Sequence, residues 1–161
     1  MRFSISKQAQ KFFSDIIPSE GSHRDRSNDK NKFETQFDVY YCCAMLGMAA
    51  VQVDESTIDL NELVENYPKS YIDGRAQIAG LLVATEMKRQ GIDVQTHKLE
   101  EMMLRYLCDN NTMLSDEGIK ALNAYALRGY QLIHDFPLEQ KPTSREEFLE
   151  AFNMAIQIYQ E

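Results

Sequence analysis

At 161 residues the chain is long enough for one domain that buries about two-thirds of its unfolded surface with no metal or disulfide staple. A net charge of −8 excludes the global basic footprint with which duplex-DNA binders neutralise phosphates. Three cysteines, Cys42, Cys43 and Cys108, form no CxxC pair, which excludes a disulfide framework and a zinc site, and no apolar run reaches the ~20 residues of a bilayer crossing. With no signal-type apolar core after Met1, a reducing cytoplasm is the expected location.

In chain order, residues 2–5 are the one stretch expected to be extended. Ser6 can cap a helix in which Ala9, Phe12, Phe13, Ile16 and Ile17 fall on one face, and Pro18 stops it. Residues 19–32 lack any large apolar side chain and predict a mobile polar loop. Residues 1–32 carry seven basic groups against four acidic ones, so the rest of the chain is −11. A basic N-terminal pole on an acidic body can steer toward nucleic acid, and its candidate phosphate contacts are Lys7, Lys11, Arg24, Arg26, Lys30 and Lys32.

Residues 33–51 predict a helix that is uncharged from Val39 to Val51, apolar all round, and therefore central and buried. Cys42 and Cys43 point about 100° apart on it and read as small core residues. Between residues 54 and 70 the pattern weakens to one short helical turn around Ile58, Leu60, Leu63 and Val64. Residues 72–90 predict a helix with Lys88 and Arg89 in its last turn, Gly91 after it, and a small-residue face of Ala76, Ala79, Gly80 and Ala84 suited to close packing. Thr96 can cap the next, whose apolar side holds Leu99, Met102, Met103, Tyr106 and Leu107. Ser115 opens another, running to Phe136, in which Gly129 permits a close crossing. Ser144 and Glu147 have the spacing of a capping box for an added C-terminal helix. Phe148, Leu149, Phe152, Ile156 and Tyr159 cover more than a narrow stripe there, which makes them the interface candidates for a homo-oligomer or hetero-complex.

No phosphate-binding loop, dinucleotide fingerprint, HExxH or GxSxG motif occurs, and His23, His97 and His134 lie in separate segments. The adjacent pairs Glu100–Glu101 and Glu146–Glu147 straddle their helices rather than share a face. The expectation is therefore a non-enzymatic chain with no metal and no cofactor.

Four segments, in order, resemble the DndE family, the small helical subunit of bacterial DNA phosphorothioation systems. Arg2-Phe3-Ser4-Ile5-Ser6-Lys7-Gln8-Ala9 is similar to that family's R-I-S-K-x-A start. Cys42-Cys43-Ala44-Met45-Leu46-Gly47-Met48-Ala49 resembles its cysteine- and leucine-containing helix, and Leu81 to Gly91 its basic-then-glycine helix end. Ala126-Leu127-Arg128-Gly129-Tyr130-Gln131-Leu132-Ile133 resembles its arginine-glycine step. The resemblance implies an all-helical, self-assembling protein that associates with DNA-modification machinery and binds nicked duplex through lysines. The chain departs from it in being acidic, in its longer loop at residues 19–32 and in its helix from Ser144.

The expected fold is all-α, one domain over residues 1–161, a compact bundle of about five to seven helices around a buried central apolar helix. Two functions stand open. One is an adaptor subunit of a bacterial DNA-modification or anti-phage defence complex, docking an ATPase or sulfur-transfer subunit and contacting DNA weakly through the basic pole. The other is a protein-only interaction or regulatory module, an inhibitor or assembly factor, that never touches nucleic acid.

Overall fold

The computed structural model describes residues 1–18 and 31–160, and these are mostly helical, with six α-helices and a two-stranded sheet among them. The elements run β1 (Phe3–Ser6), α1 (Lys7–Phe12), α2 (Gln36–Ala50), β2 (Leu60–Val64), a 3₁₀ helix (Lys69–Gly74), α3 (Arg75–Gln90), α4 (Thr96–Tyr106), α5 (Asp116–Asp135) and α6 (Arg145–Ile158). No helix is long and apolar enough to cross a membrane among the described residues.

The extended N-terminus is real and has a partner. β1 pairs antiparallel with β2, Ser6 opposite Leu60 and Ile5 opposite Asn61, with an irregularity between Phe3 and Ser4. Alternation drives Phe3 (0% exposed) and Ile5 (6%) inward. Phe3 meets the Phe37 ring edge-on at 5.3 Å, so the strand is nailed to α2. The short helical turn expected within residues 54–70 is thereby corrected. Leu60 and Val64 sit four apart, as on a helix, but the unpaired edge of β1 offers their backbone a ladder instead.

Ser6 caps α1 as expected, its Oγ accepting from the Ala9 N–H at 3.2 Å. The helix is shorter than its apolar spacing suggested, ending at Phe12 and giving way to turns. Phe13, Ile16 and Ile17 are still buried from those turns, so the spacing marked the core side correctly without marking the helix length.

α2 begins at Thr35, whose N–H donates to the Asp38 carboxylate at 3.1 Å, and it buries Phe37, Val39, Tyr40, Cys43, Ala44, Leu46, Gly47 and Met48. Its most extensive neighbour is α5. The two backbones approach through reciprocal glycines. A methyl group at Gly47 would collide with the Tyr125 carbonyl, and one at Gly129 with the Cys43 carbonyl. Gly129 does permit the close crossing read from the sequence.

α5 starts at Ser115, whose Oγ accepts from Gly118 N–H at 3.1 Å, and α6 at Ser144, whose Oγ accepts from Glu147 N–H at 3.2 Å. The Glu147 carboxylate reaches back to Thr143 N–H at 3.0 Å, one residue beyond the expected capping-box partner. At α4 the first helical residue is Thr96, and Gln95 holds the cap position.

Two apolar cores result. The larger joins the sheet, α1, α2, α5, α6 and the Ile78, Ala79 and Leu82 side of α3; a smaller one, Val83, Met87, Met102 and Tyr106, lies between α3 and α4. The pair α3 and α4 thus forms a lobe that the main core grips through Ile78, Ala79 and Leu82 of α3.

Candidate functional site

Beside the apolar packing of α3, a buried carboxylate fastens the lobe. Glu86 lies on the inner face of α3 at 1% exposure and receives Arg89 Nε at 2.8 Å, Arg89 Nη2 at 2.9 Å and Gln90 Nε2 at 2.9 Å from its own helix. The Tyr106 hydroxyl of α4 donates to it at 2.8 Å and the Tyr125 hydroxyl of α5 at 2.5 Å. Burial pushes the Glu86 pKa up, but the hydrogen bonds from Arg89, Tyr125, Tyr106 and Gln90 outweigh it and hold the carboxyl at about 2. The same contact, after burial, raises the Tyr106 and Tyr125 phenols. A carboxylate with its lone pairs so occupied is no general base near neutral pH; it is a three-helix pin.

Beside the pin opens a cavity of about 220 Å³ that carries Asp54, Ser56, Arg89, Arg105, Glu117 and Lys120 on its walls. Its charges are of both signs, and Arg105 already lies 3.4 Å from Glu117. Such a wall offers no concentrated charge to a ligand.

On the other side of the lobe, α3 and α4 diverge around an apolar groove of about 520 Å³. Gly80 and Ala84 form one bank, Leu99 and Met103 the other, and Val83, Met87, Ile92 and Leu107 line it further. Of its lining residues Val94 is 80% exposed and Met103 44%. Large apolar side chains gathered along one groove and its rim mark a surface made to be covered. The small-residue face of α3 is thus divided: Ala79 packs into the main core, while Ala76, Gly80 and Ala84 are exposed and a Cβ at Gly80 would meet nothing within 4 Å.

The residues singled out in the sequence are scattered by comparison. Lys7 and Lys11 are exposed on α1, four apart and so on one face, and Lys32 is half-buried; Arg24, Arg26 and Lys30 lie outside the described residues. Of the α6 candidates, Phe148 is fully buried and packs edge-on against Phe13 at 5.3 Å and Phe33 at 5.6 Å. Phe152, Ile156 and Tyr159 are half-buried against the same core, and Leu149 is exposed. What α6 leaves to solvent is Leu149, Met154 and Ile158.

Cys43 is buried and Cys42 half-buried, and burial with the Asp38 charge pushes the Cys42 thiol up to about 12. Among the described residues no group of three His, Cys, Asp or Glu side chains is placed to hold a metal. His134 lies at the C-terminal end of α5 with Nδ1 3.2 Å from Asp135.

Sequence reasoning missed the pin and the groove. A signal for the first was present: Glu86 follows Leu82 by one turn, inside an apolar stripe where a charge requires a partner, and Arg89 stands three residues on. For the second the sequence held no signal, because Leu99 and Met103 lie on the same apolar stripe as Tyr106. The chain matches no protein-family model, no curated protein and no solved structure.

Proposed function

We propose that this chain is a non-catalytic adaptor subunit that docks a protein partner over the α3–α4 face. The single observation carrying the reading is the open apolar groove between Gly80, Val83 and Met87 on α3 and Leu99 and Met103 on α4. Leaving that area in water forgoes about 25 cal/mol per Å² that a partner would recover. Met103, exposed on the α4 bank, adds an unbranched, polarizable side chain that adapts to an incoming surface. In this reading α2 is the hub of the bundle, and the lobe is the part presented outward.

The setting is supplied by the resemblance to the DndE family. It places the adaptor in a cytoplasmic bacterial DNA-modification or anti-phage defence complex, with an ATPase or sulfur-transfer subunit as the partner. Weak DNA contact is a second role, favoured by the exposed Lys7 and Lys11 sharing one face of α1. The protein-only module is the alternative, using the same groove without nucleic acid.

The test is reconstitution with any ATPase and sulfur-transfer proteins that its neighbouring genes encode, read by sedimentation. A complex with one of them, abolished in Met103→Asp while the variant stays folded, is the expected result. Formation of no complex, or a complex indifferent to Met103→Asp, overturns the docking face. For the DNA role, Lys7→Ala with Lys11→Ala should flatten the dependence of log affinity on log salt by about 0.9 for each phosphate no longer neutralised. Absence of any duplex shift at low salt leaves the protein-only module.

A further inference from the structure

The groove is one of two hollows that flank the exposed side of α3. The second, about 360 Å³, lies toward α2 and is lined by Tyr41, Met45, Tyr71, Gln77 and Leu81. Gly80 and Ala84 face the first hollow, Gln77 and Leu81 the second, and the ridge between them is low because Gly80 and Ala84 are small. A helix laid along this ridge can fill both sides at once. α3 is 16 residues long, which gives such a helix about 24 Å of track.

The second hollow differs from the first in chemistry. The Tyr41 and Tyr71 rings, both half-buried in its lining, stand 5.0 Å apart at 53°. The Tyr71 hydroxyl donates to Asp38 Oδ1 at 2.5 Å, so a carboxylate backs the aromatic pair. Aromatic faces with a carboxylate behind them attract an ammonium or guanidinium. Around the two hollows, exposed Asp73 and Asp93 oppose exposed Lys69 and Lys88, so the rim itself is neutral. The attraction comes from Asp38 locally and from the −8 of the chain at long range.

We infer that the two hollows flanking α3 together dock a cationic amphipathic helix of a partner protein, its apolar side chains entering the α3–α4 groove and a lysine or arginine seated at Tyr41 and Tyr71. This rests on the adaptor reading and names the chemistry of the partner. A second copy of the chain is the poorer occupant, since two bodies of charge −8 repel.

The experiment uses synthetic helices about as long as α3, with leucine on one face and lysine, glutamine or glutamate on the other, and reads binding by fluorescence anisotropy at physiological ionic strength. The lysine peptide should bind at least about tenfold tighter than the glutamine peptide, and the glutamate peptide least. Tyr41→Leu should weaken the lysine peptide about threefold and leave the glutamine peptide unchanged. Gly80→Arg raises a cationic ridge between the hollows at a position with open space around it, and should abolish binding with the fold intact. Equal binding of all three peptides, abolished in Gly80→Arg, overturns the cationic partner and leaves the adaptor reading standing. Lysine-peptide binding that survives Gly80→Arg is charge attraction elsewhere on the surface and overturns both. A dimer of the protein alone that Gly80→Arg dissociates, with no peptide bound, makes the occupant a second copy and overturns the inference alone.

Discussion

The α2–α5 crossing and the α3–α4 pair are built from similar ingredients, apolar stripes interrupted by glycine, and they end in opposite states. At the crossing, Gly47 and Gly129 are each filled by the other helix's backbone, and Tyr125 and Leu46 are sealed from water. In the lobe, Gly80 looks into open space, and the apolar residues past Met87 spread around an unfilled groove. What separates them is whether the small residue has a partner within the chain. Where it has one, the close approach stabilises the fold; where it has none, the same composition is left as surface for another molecule.

The crossing should therefore be the most sensitive place in the protein. Gly129→Ala puts a methyl group into the Cys43 carbonyl, and because backbone cannot yield as a side chain can, the loss should be about 3 kcal/mol or more. Chemical denaturation of the variant measures it. A cost below about 1 kcal/mol would mean that the helices slide apart freely and that the crossing is no tighter than the lobe.

The pin ranks next, because it joins both helices of the lobe to α5 through buried charged hydrogen bonds, whereas the Arg105–Glu117 contact is exposed. Glu86→Ala strands Arg89 and leaves two tyrosine hydroxyls facing an emptied pocket, a loss of about 3 kcal/mol by equilibrium unfolding. The wild-type protein should show the same dependence in acid. The folded carboxyl, at about 2, lies below its ordinary 4.5, so its contribution is complete above the unfolded value and disappears as pH falls from 4.5 toward 2. Glu86→Gln should remove most of that acid slope. If stability in the variant falls as steeply over the same window, other carboxylates carry it.

Thiol chemistry probes the same division without altering stability. Cys108, exposed past the end of α4, should react with a thiol reagent at once, whereas Cys43 should wait for unfolding. Cys42 should be slow at neutral pH, since its thiol ionises only at about 12. Rapid labelling of both Cys42 and Cys43 in the native protein would remove the buried role of α2.

Much of the main bundle was legible in the sequence because its information is local. Ser6, Ser115 and Ser144 cap where they stand, and the uncharged run through Val39 and Leu46 falls in a helix that buries both. β2 was not legible, since Leu60 to Val64 becomes a strand only through pairing with β1, far off in sequence. The pin was half legible: Glu86 and Arg89 show helical spacing, but Tyr106 and Tyr125 join them only by tertiary approach. The groove was the least legible part. Apolar residues on α3 and α4 read as core in either case, and only their exposure in the fold shows that nothing within the described residues covers them.

The smallest expected effect divides the two regions most sharply, because it repeats one substitution in the lobe with the opposite sign. Gly80 lies inside α3, where glycine costs about 0.8–1.0 kcal/mol relative to alanine through the backbone freedom it surrenders. An added Cβ there meets nothing within 4 Å, so Gly80→Ala brings no collision to offset that gain. The protein should become more stable by somewhat less than 1 kcal/mol, read as a higher denaturation midpoint with an unchanged slope. Gly129→Ala, chemically the same change, should lower the midpoint. A destabilised Gly80→Ala would mean that α3 is already closely packed at its glycine in the protein as it exists in solution, in which case the groove is covered and the docking face must be sought elsewhere.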